Sequence, residues 1–180
     1  MAANVRPYPS QWERHIVLGE GWRIFVRPVR PDDEDLIRDY LTHVSKEDLR
    51  LRFFDSIKEF SHPFITALID LDYARAMAFV AIDETTKEAL GVVRLHADGT
   101  HETGEYAILL RSDLKGRGLG WSLMQLIIKY ARSEGVKRIS GQILQGNTVM
   151  LKMCRDLGFE IKTDPNDRGL RDVTLTLGNS

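Results

Sequence analysis

Two neighbouring features of the sequence could do chemistry together. One is an acid, Glu105, at the head of a short apolar run, Tyr106-Ala107-Ile108-Leu109-Leu110. The other is a glycine-dense basic loop just beyond it, Lys115-Gly116-Arg117-Gly118-Leu119-Gly120, followed by Trp121. Glycine at every second position lets bare amides approach a ligand and tolerates positive φ without steric cost. Apolar residues at helical spacing begin at Leu119, so the loop is also the entry to a helix. The free N–H groups and partial positive charge of a helix N-terminus favour anions, and Lys115 and Arg117 add full charges. The combination reads as a phosphate or pyrophosphate site. The P-loop pattern fails, because no Lys-Ser/Thr pair follows the second glycine. The dinucleotide pattern fails too: Trp121 stands where its third glycine belongs, and the strand some 20 residues on, Val136 to Gln142, carries no acid.

A strand before the loop and a helix after it must hold these residues in place, and the rest of the chain supplies a frame. Residues 1–21, with Pro7, Pro9, Gly19 and Gly21, read as an extended lead-in or linker. Arg23 to Val29 alternates as a strand. The acids Asp32 to Asp35 open a helix with apolar positions Leu36, Ile37, Tyr40 and Leu41, where they complement its dipole. A second helix starts at Ser45, with Asp48 three residues on, and a third near His62-Pro63. Ala76 to Ile82, Leu90 to His96 and the Glu105 strand follow with short polar turns, which predicts an antiparallel core. The loop helix should run from Leu119 to Ser133, ended by Gly135. A strand over Val136 to Leu144, a helix capped by Asn147, and a closing hairpin from Phe159 to Leu177 complete the expectation. The fold class is α/β (α+β), a mixed and mostly antiparallel central sheet flanked by helices.

The composition narrows the partners. Charged residues make up 28% of 180 and nearly balance at net −1, so no polyanion attraction and no nucleic-acid partner are expected. A single cysteine excludes an internal disulfide and a Cys-based metal cluster, and no metal is expected. No apolar run approaches the ~20 residues of a membrane span, and no signal-peptide pattern opens the chain. A cytoplasmic, non-membrane protein is the expectation.

The loop, the later Asn147 and the pair Gly158-Phe159 together resemble the GNAT superfamily of acyl-CoA-dependent N-acyltransferases. That signature is Gln/Arg-x-x-Gly-x-Gly/Ala between a strand and a long helix; Lys115 replaces the usual Gln or Arg. Further markers are Arg6-Pro7-Tyr8-Pro9, Leu49-Arg50-Leu51-Arg52-Phe53-Phe54, Ala76-Met77-Ala78-Phe79-Val80-Ala81 and Gly104 to Gly116. They resemble the GNAT domain of bacterial Pat-type protein lysine acetyltransferases. The resemblance implies a GNAT domain over residues 22–180, acetyl-CoA as cosubstrate, and a lysine ε-amine as acceptor. Its implied partners are an AMP-forming acyl-CoA synthetase as target and a covalently linked acyl-CoA-synthetase-like domain. A small amine as acceptor, and a non-catalytic acetyl-CoA sensor, are the rival readings.

Under this resemblance, Gly116 to Trp121 should hold the CoA pyrophosphate with their amides. Ile108, Leu109 and Leu110 should pair with the pantetheine arm and the thioester carbonyl. Lys115 and Arg117 either neutralise phosphate or are solvated cations; Asn147 either reaches the cofactor or only caps its helix. Glu105 is the candidate general base, its pKa raised by partial desolvation in an apolar strand; the alternative is a surface acid at a strand end. His96, His101 and Glu102 could relay a proton through water or simply be solvated. Cys154 stands where the family often carries a Tyr that protonates the leaving thiolate. It is either a thiol donor or a small core residue.

Overall fold

The computed structural model describes residues 6–178; residues 1–5 of the lead-in and 179–180 at the end lie outside the described residues. A 3-10 turn at Ser10–Trp12 leads into β1 (Arg14–Leu18) and β2 (Trp22–Pro28). Three helices follow, α1 (Glu34–Thr42), α2 (Lys46–Phe53) and α3 (His62–Ile69). Then come β3 (Ala76–Asp83), β4 (Ala89–Ala97), β5 (Thr103–Leu110) and α4 (Leu119–Ser133). The chain closes with β6 (Arg138–Leu144), α5 (Thr148–Asp156), β7 (Glu160–Thr163) and β8 (Leu170–Thr176). One sheet runs β1-β2-β3-β4-β5-β6-β8-β7, antiparallel throughout except where β5 meets β6. The expected mixed, mostly antiparallel sheet flanked by helices is what forms.

Local signals account for most helix starts. Ser45 Oγ accepts from Asp48 N at 3.1 Å to start α2, and Ser61 Oγ accepts from Phe64 N at 3.2 Å to start α3. At α1 the acid run does more than complement a dipole. Asp33 is buried, its carboxylate accepting two hydrogen bonds from the Arg27 guanidinium at 2.8 and 2.9 Å and one from Arg30 N at 2.7 Å. This tie pins the first helix to β2.

The lead-in differs from its expectation. Arg14–Leu18 is a sheet strand, paired with β2 from Arg14↔Val26 to Leu18↔Trp22 across a turn in which Gly19 and Gly21 take φ of 54° and 102°. Its Val17 points outward, 60% exposed, which hides the strand's alternation in the sequence. Trp12 packs its ring 5.9 Å from Phe79 and 5.4 Å from Tyr130, fastening the segment to the core.

The sheet carries a core on each face. On one, α4 and α5 bury Leu119, Leu123, Met124, Ile127 and Cys154. On the other, α1 and α3 bury Ile37, Tyr40, Leu41, Ile65 and Ile69. Each fully buried large side chain contributes about 1.5–3 kcal/mol.

One break in the sheet matters for function. β5 stays with β4 as far as Gly91↔Leu110. With β6 it pairs only at Thr103↔Arg138, Gly104↔Ile139 and Glu105↔Ser140. On its other side β6 pairs with β8 along its whole length, from Arg138↔Thr176 to Leu144↔Leu170, so past Ser140 it has no partner on the β5 side. The Tyr106 ring sits in the fork over Gly141, where an added Cβ would lie 2.6 Å from it. The two strands therefore part and leave a V-shaped gap.

Candidate active site

The gap opens into a cleft of about 460 Å³. β5 forms one wall, β6 and α5 the other; α2 contributes Asp48, Arg52 and Phe53, and the glycine loop closes one end with Lys115 and Gly120. Main-chain groups alternate along a strand, so only every second residue of β5 faces the gap. Arg111 N donates to Leu90 O at 2.9 Å, on the β4 side. Leu109 shares that side, and its carbonyl also accepts from Tyr40 Oη at 2.6 Å. Beyond the last β5–β6 pair all three of the expected trio line the cleft, but the alternation turns the main-chain groups of Ile108 and Leu110 into the gap, while the Leu109 carbonyl is held by Tyr40 of α1.

At the loop, Gly116 and Gly118 hold φ of 81° and 89°, and nothing lies within 4 Å of a Cβ built on either. Their requirement is conformational. Gly120 is different: its Cβ would sit 3.0 Å from Met153 Cε and 3.4 Å from Leu110 Cδ1, so it serves close packing of α4 against α5 and β5. No side chain caps α4, and its first intrahelical bond comes from Ser122 N to Gly118 O at 3.1 Å. The N–H groups of Leu119, Gly120 and Trp121 therefore have no acceptor within the helix. Three free donors, two left-handed glycines and the dipole fit a phosphate group.

The two loop cations are already engaged. Lys115 Nζ is ion-paired with Asp48, which also accepts from Ser112 Oγ at 2.5 Å. Burial pushes the Asp48 carboxyl up, but Lys115 and Ser112 overcome it and hold the pKa below the usual value. Lys115 thus fastens the loop to α2 rather than standing free for phosphate. Arg117 lies 4.0 Å over the Trp22 ring, which fixes its charge beside the helix entry, where Trp121 is 38% exposed. Asn147 caps α5, its Oδ1 accepting from Met150 N at 3.3 Å, while lining the cleft.

Glu105 stands at the fork itself, the last residue of β5 paired to β6, and lines the cleft. It is exposed, so the partial burial expected to activate it is not what the structure shows. His96 lies directly across from it on β4 and is also exposed. Opposed residues of an antiparallel pair share a face within ~5 Å at Cβ, so His96 and Glu105 stand side by side on one face of the sheet. Glu102 is engaged elsewhere, with Lys137 at 3.1 Å and Arg138 at 3.8 Å, and His101 sits in the turn at φ 63°.

Cys154 is fully buried, and its Sγ lies 3.1 Å from the Tyr106 hydroxyl. Burial pushes the thiol up to about 11, and burial together with Cys154 raises Tyr106 well above its ordinary value. Both stay protonated at neutral pH, and Cys154 is a core residue. Sequence reasoning gave Asp48 only a capping role and Arg52 only a place in a resemblance marker; neither carries a local signal of a role in the site, because both acquire their neighbours there through the tertiary fold.

A V-shaped gap in a mostly antiparallel sheet, with an uncapped glycine-loop helix at one end and an acid at the fork, defines an acyltransferase of the GNAT type. Residues 38–159 match the model of the acetyltransferase (GNAT) family, and the chain belongs to that family. It is 31% identical over 152 residues to an acetyltransferase of Pseudomonas aeruginosa, covering 83% of this chain and 82% of that one. It is 30% identical over 159 residues to the acetyltransferase Pat of Mycolicibacterium smegmatis, covering 88% of this chain but 46% of the relative. The chain therefore spans less than half the length of Pat. Among solved structures, the GNAT domain of S. lividans PAT superposes with a TM-score of 0.87 at 26% identity, over 95% of this chain and all of that one.

The enzymes of this family use acetyl-CoA, which supplies an activated thioester. The residues present fit it: free amides at the head of α4 for a pyrophosphate, and strand groups at Ile108 and Leu110 for an amide-bearing arm. Among the described residues no cluster of His, Cys, Asp or Glu could hold a metal ion, and no helix is long and apolar enough to cross a membrane.

Proposed function

We propose that the protein acetylates lysine ε-amines of target proteins in the cytoplasm, by direct transfer from acetyl-CoA. Glu105, through water, takes a proton from the lysine ammonium. The amine nitrogen attacks the thioester carbonyl, the new C–N bond forms, the C–S bond breaks, and CoA leaves as a thiol protonated from solvent. Amides of Ile108 and Leu110 are placed to hold the thioester carbonyl as it gains charge. The targets are AMP-forming acyl-CoA synthetases.

The observation that carries this reading is the character of the cleft's acceptor end. The cleft there carries Arg52 alongside Glu105, and the cleft's lining includes two solvent-exposed apolar residues, Phe54 at 43% exposure and Val149 at 64%. Exposed apolar residues around a groove suit a protein surface. A polyamine or other small cation would call for an enclosed site with an excess of acids, and Asp48, the second acid here, is already neutralised by Lys115. The likeness to Pat of M. smegmatis and to the S. lividans PAT domain supports the same reading.

A panel of acceptors tests it. With acetyl-CoA and purified protein, release of the CoA thiol should be fast with an AMP-forming acyl-CoA synthetase and negligible with spermidine. A small amine that outpaces the synthetase would refute the proposal.

A further inference from the structure

The acceptor end of the cleft holds positive charge that the fold does not neutralise. Arg27, buried elsewhere in the fold, is clamped by Asp33 through two hydrogen bonds. Arg52 and Arg94, both half-buried, make no hydrogen bond to a carboxylate among the described residues. Arg94 donates only to the carbonyl of Leu68, at 3.0 Å, and Arg52 lies 4.5 Å over the Phe53 ring. Both guanidiniums line one small cavity behind Ala107 and Leu109. Arg52 alone reaches through to the main cleft, where Glu105 stands.

Withdrawing a cation from water is unfavourable unless hydrogen bonds or an opposite charge replace its hydration. Here the second charge makes matters worse. Burial, then the charge of Arg52, pulls Arg94 down to about 10. Burial also lowers Arg52, against the opposing pull of Tyr40 and Glu105. Two guanidiniums against one acid leave a positive acceptor end, which repels a bare ammonium. CoA does not supply the missing anion, since its phosphates belong to the head of α4 at the opposite end. A planar guanidinium fork matches a carboxylate in two parallel hydrogen bonds.

We propose that Arg52, backed by the charge of Arg94, binds a carboxylate that the acceptor carries beside the amine to be acetylated. This rests on the lysine reading above, under which the carboxylate is an Asp or Glu side chain flanking the target lysine. Arg52 then sets specificity by bringing the lysine to Glu105, and Arg94 is a positioning residue that strengthens its field.

The test uses peptides of one sequence that differ only beside the lysine, carrying Glu, Gln or Lys there, at saturating acetyl-CoA. Wild type should favour Glu over Gln about tenfold in kcat/KM, with Lys the poorest. Arg52→Gln should flatten the series to within twofold, Arg52→Glu should reverse it toward the Lys peptide, and Arg94→Gln should weaken the preference in part. Acetyl-CoA affinity by calorimetry should hold in every variant, which shows that each is folded. A flat wild-type series, or a Glu preference that survives Arg52→Gln, overturns the subsite. So does a preference for dicarboxylic acyl-CoA donors that Arg52→Gln removes, because the carboxylate then belongs to the donor. If no lysine peptide reacts but free α-amino acids do, and only with Arg52 present, the lysine reading falls and the carboxylate subsite stands.

Discussion

The two ends of the cleft are made of different material. The loop end is main chain: amides at the head of α4, two glycines at positive φ, and strand groups of Ile108 and Leu110. Of its side chains, Lys115 is held against Asp48, while Arg117, stacked over Trp22, keeps its charge beside the helix entry. The acceptor end is side chain, with Glu105 and Arg52 arriving from a strand and a helix distant in sequence. The contrast teaches where variation is tolerated. A backbone cradle depends on conformation and survives most changes of side chain, whereas a side-chain subsite changes its preference with one substitution.

That division can be broken at several points. The largest effect belongs to Glu105→Gln, which should lower kcat about 10²-fold or more, the usual contribution of a general base, with acetyl-CoA affinity unchanged by calorimetry. Near-wild-type turnover at neutral pH would remove Glu105 from the chemistry. At the other end, Gly118→Val forces a β-branched residue to φ 89°. Left-handed backbone is unfavourable by about 1–2 kcal/mol for ordinary residues, so affinity for acetyl-CoA should fall roughly tenfold. Unaltered binding would show that the cradle does not need this loop shape.

The frame between the ends should respond more mildly. Asp48 has a folded pKa held below its unfolded value, so its contribution is present above the unfolded pKa near 4 and disappears as pH falls through the folded one. Asp48→Asn should destabilise by about 1–2 kcal/mol in urea melts at pH 7, the penalty of an unsatisfied partner, and the difference should shrink below pH 4. A difference that does not change with pH would mean that the ion pair is not its source. Smallest of all, Cys154→Ala should leave turnover within about twofold and lower stability by about 1 kcal/mol through a lost buried sulfur. A large loss of kcat with normal stability would return the thiol to the mechanism.

Much of the loop end was legible in the sequence because its determinants are local. The helix from Leu119 to Ser133 has the expected ends, since periodicity and a terminal glycine lie within the segment itself. Asn147 could be read as a cap for the same reason. The fork could not be read, because it needs the Tyr106 ring over Gly141 and the pairing of β6 with β8. Lys115 looked like a phosphate ligand in isolation; its partner Asp48 lies 67 residues away. Leu109 looked equivalent to its neighbours until pairing with β4 set the alternation. Glu105 was legible by position but not by environment, since its exposure depends on where β5 and β6 separate. Arg52 and Arg94 gave no signal, as an arginine lacking an acid can be recognised only after every neighbour is placed.

The most direct test is to map acetyl transfer onto an AMP-forming acyl-CoA synthetase with isotopically labelled acetyl-CoA, comparing wild type with Glu105→Gln. The account predicts label on a single synthetase lysine with wild type, and almost none with the variant, although both bind acetyl-CoA equally. Cofactor binding by wild type with no label on the synthetase, or equal labelling by the variant, would contradict it.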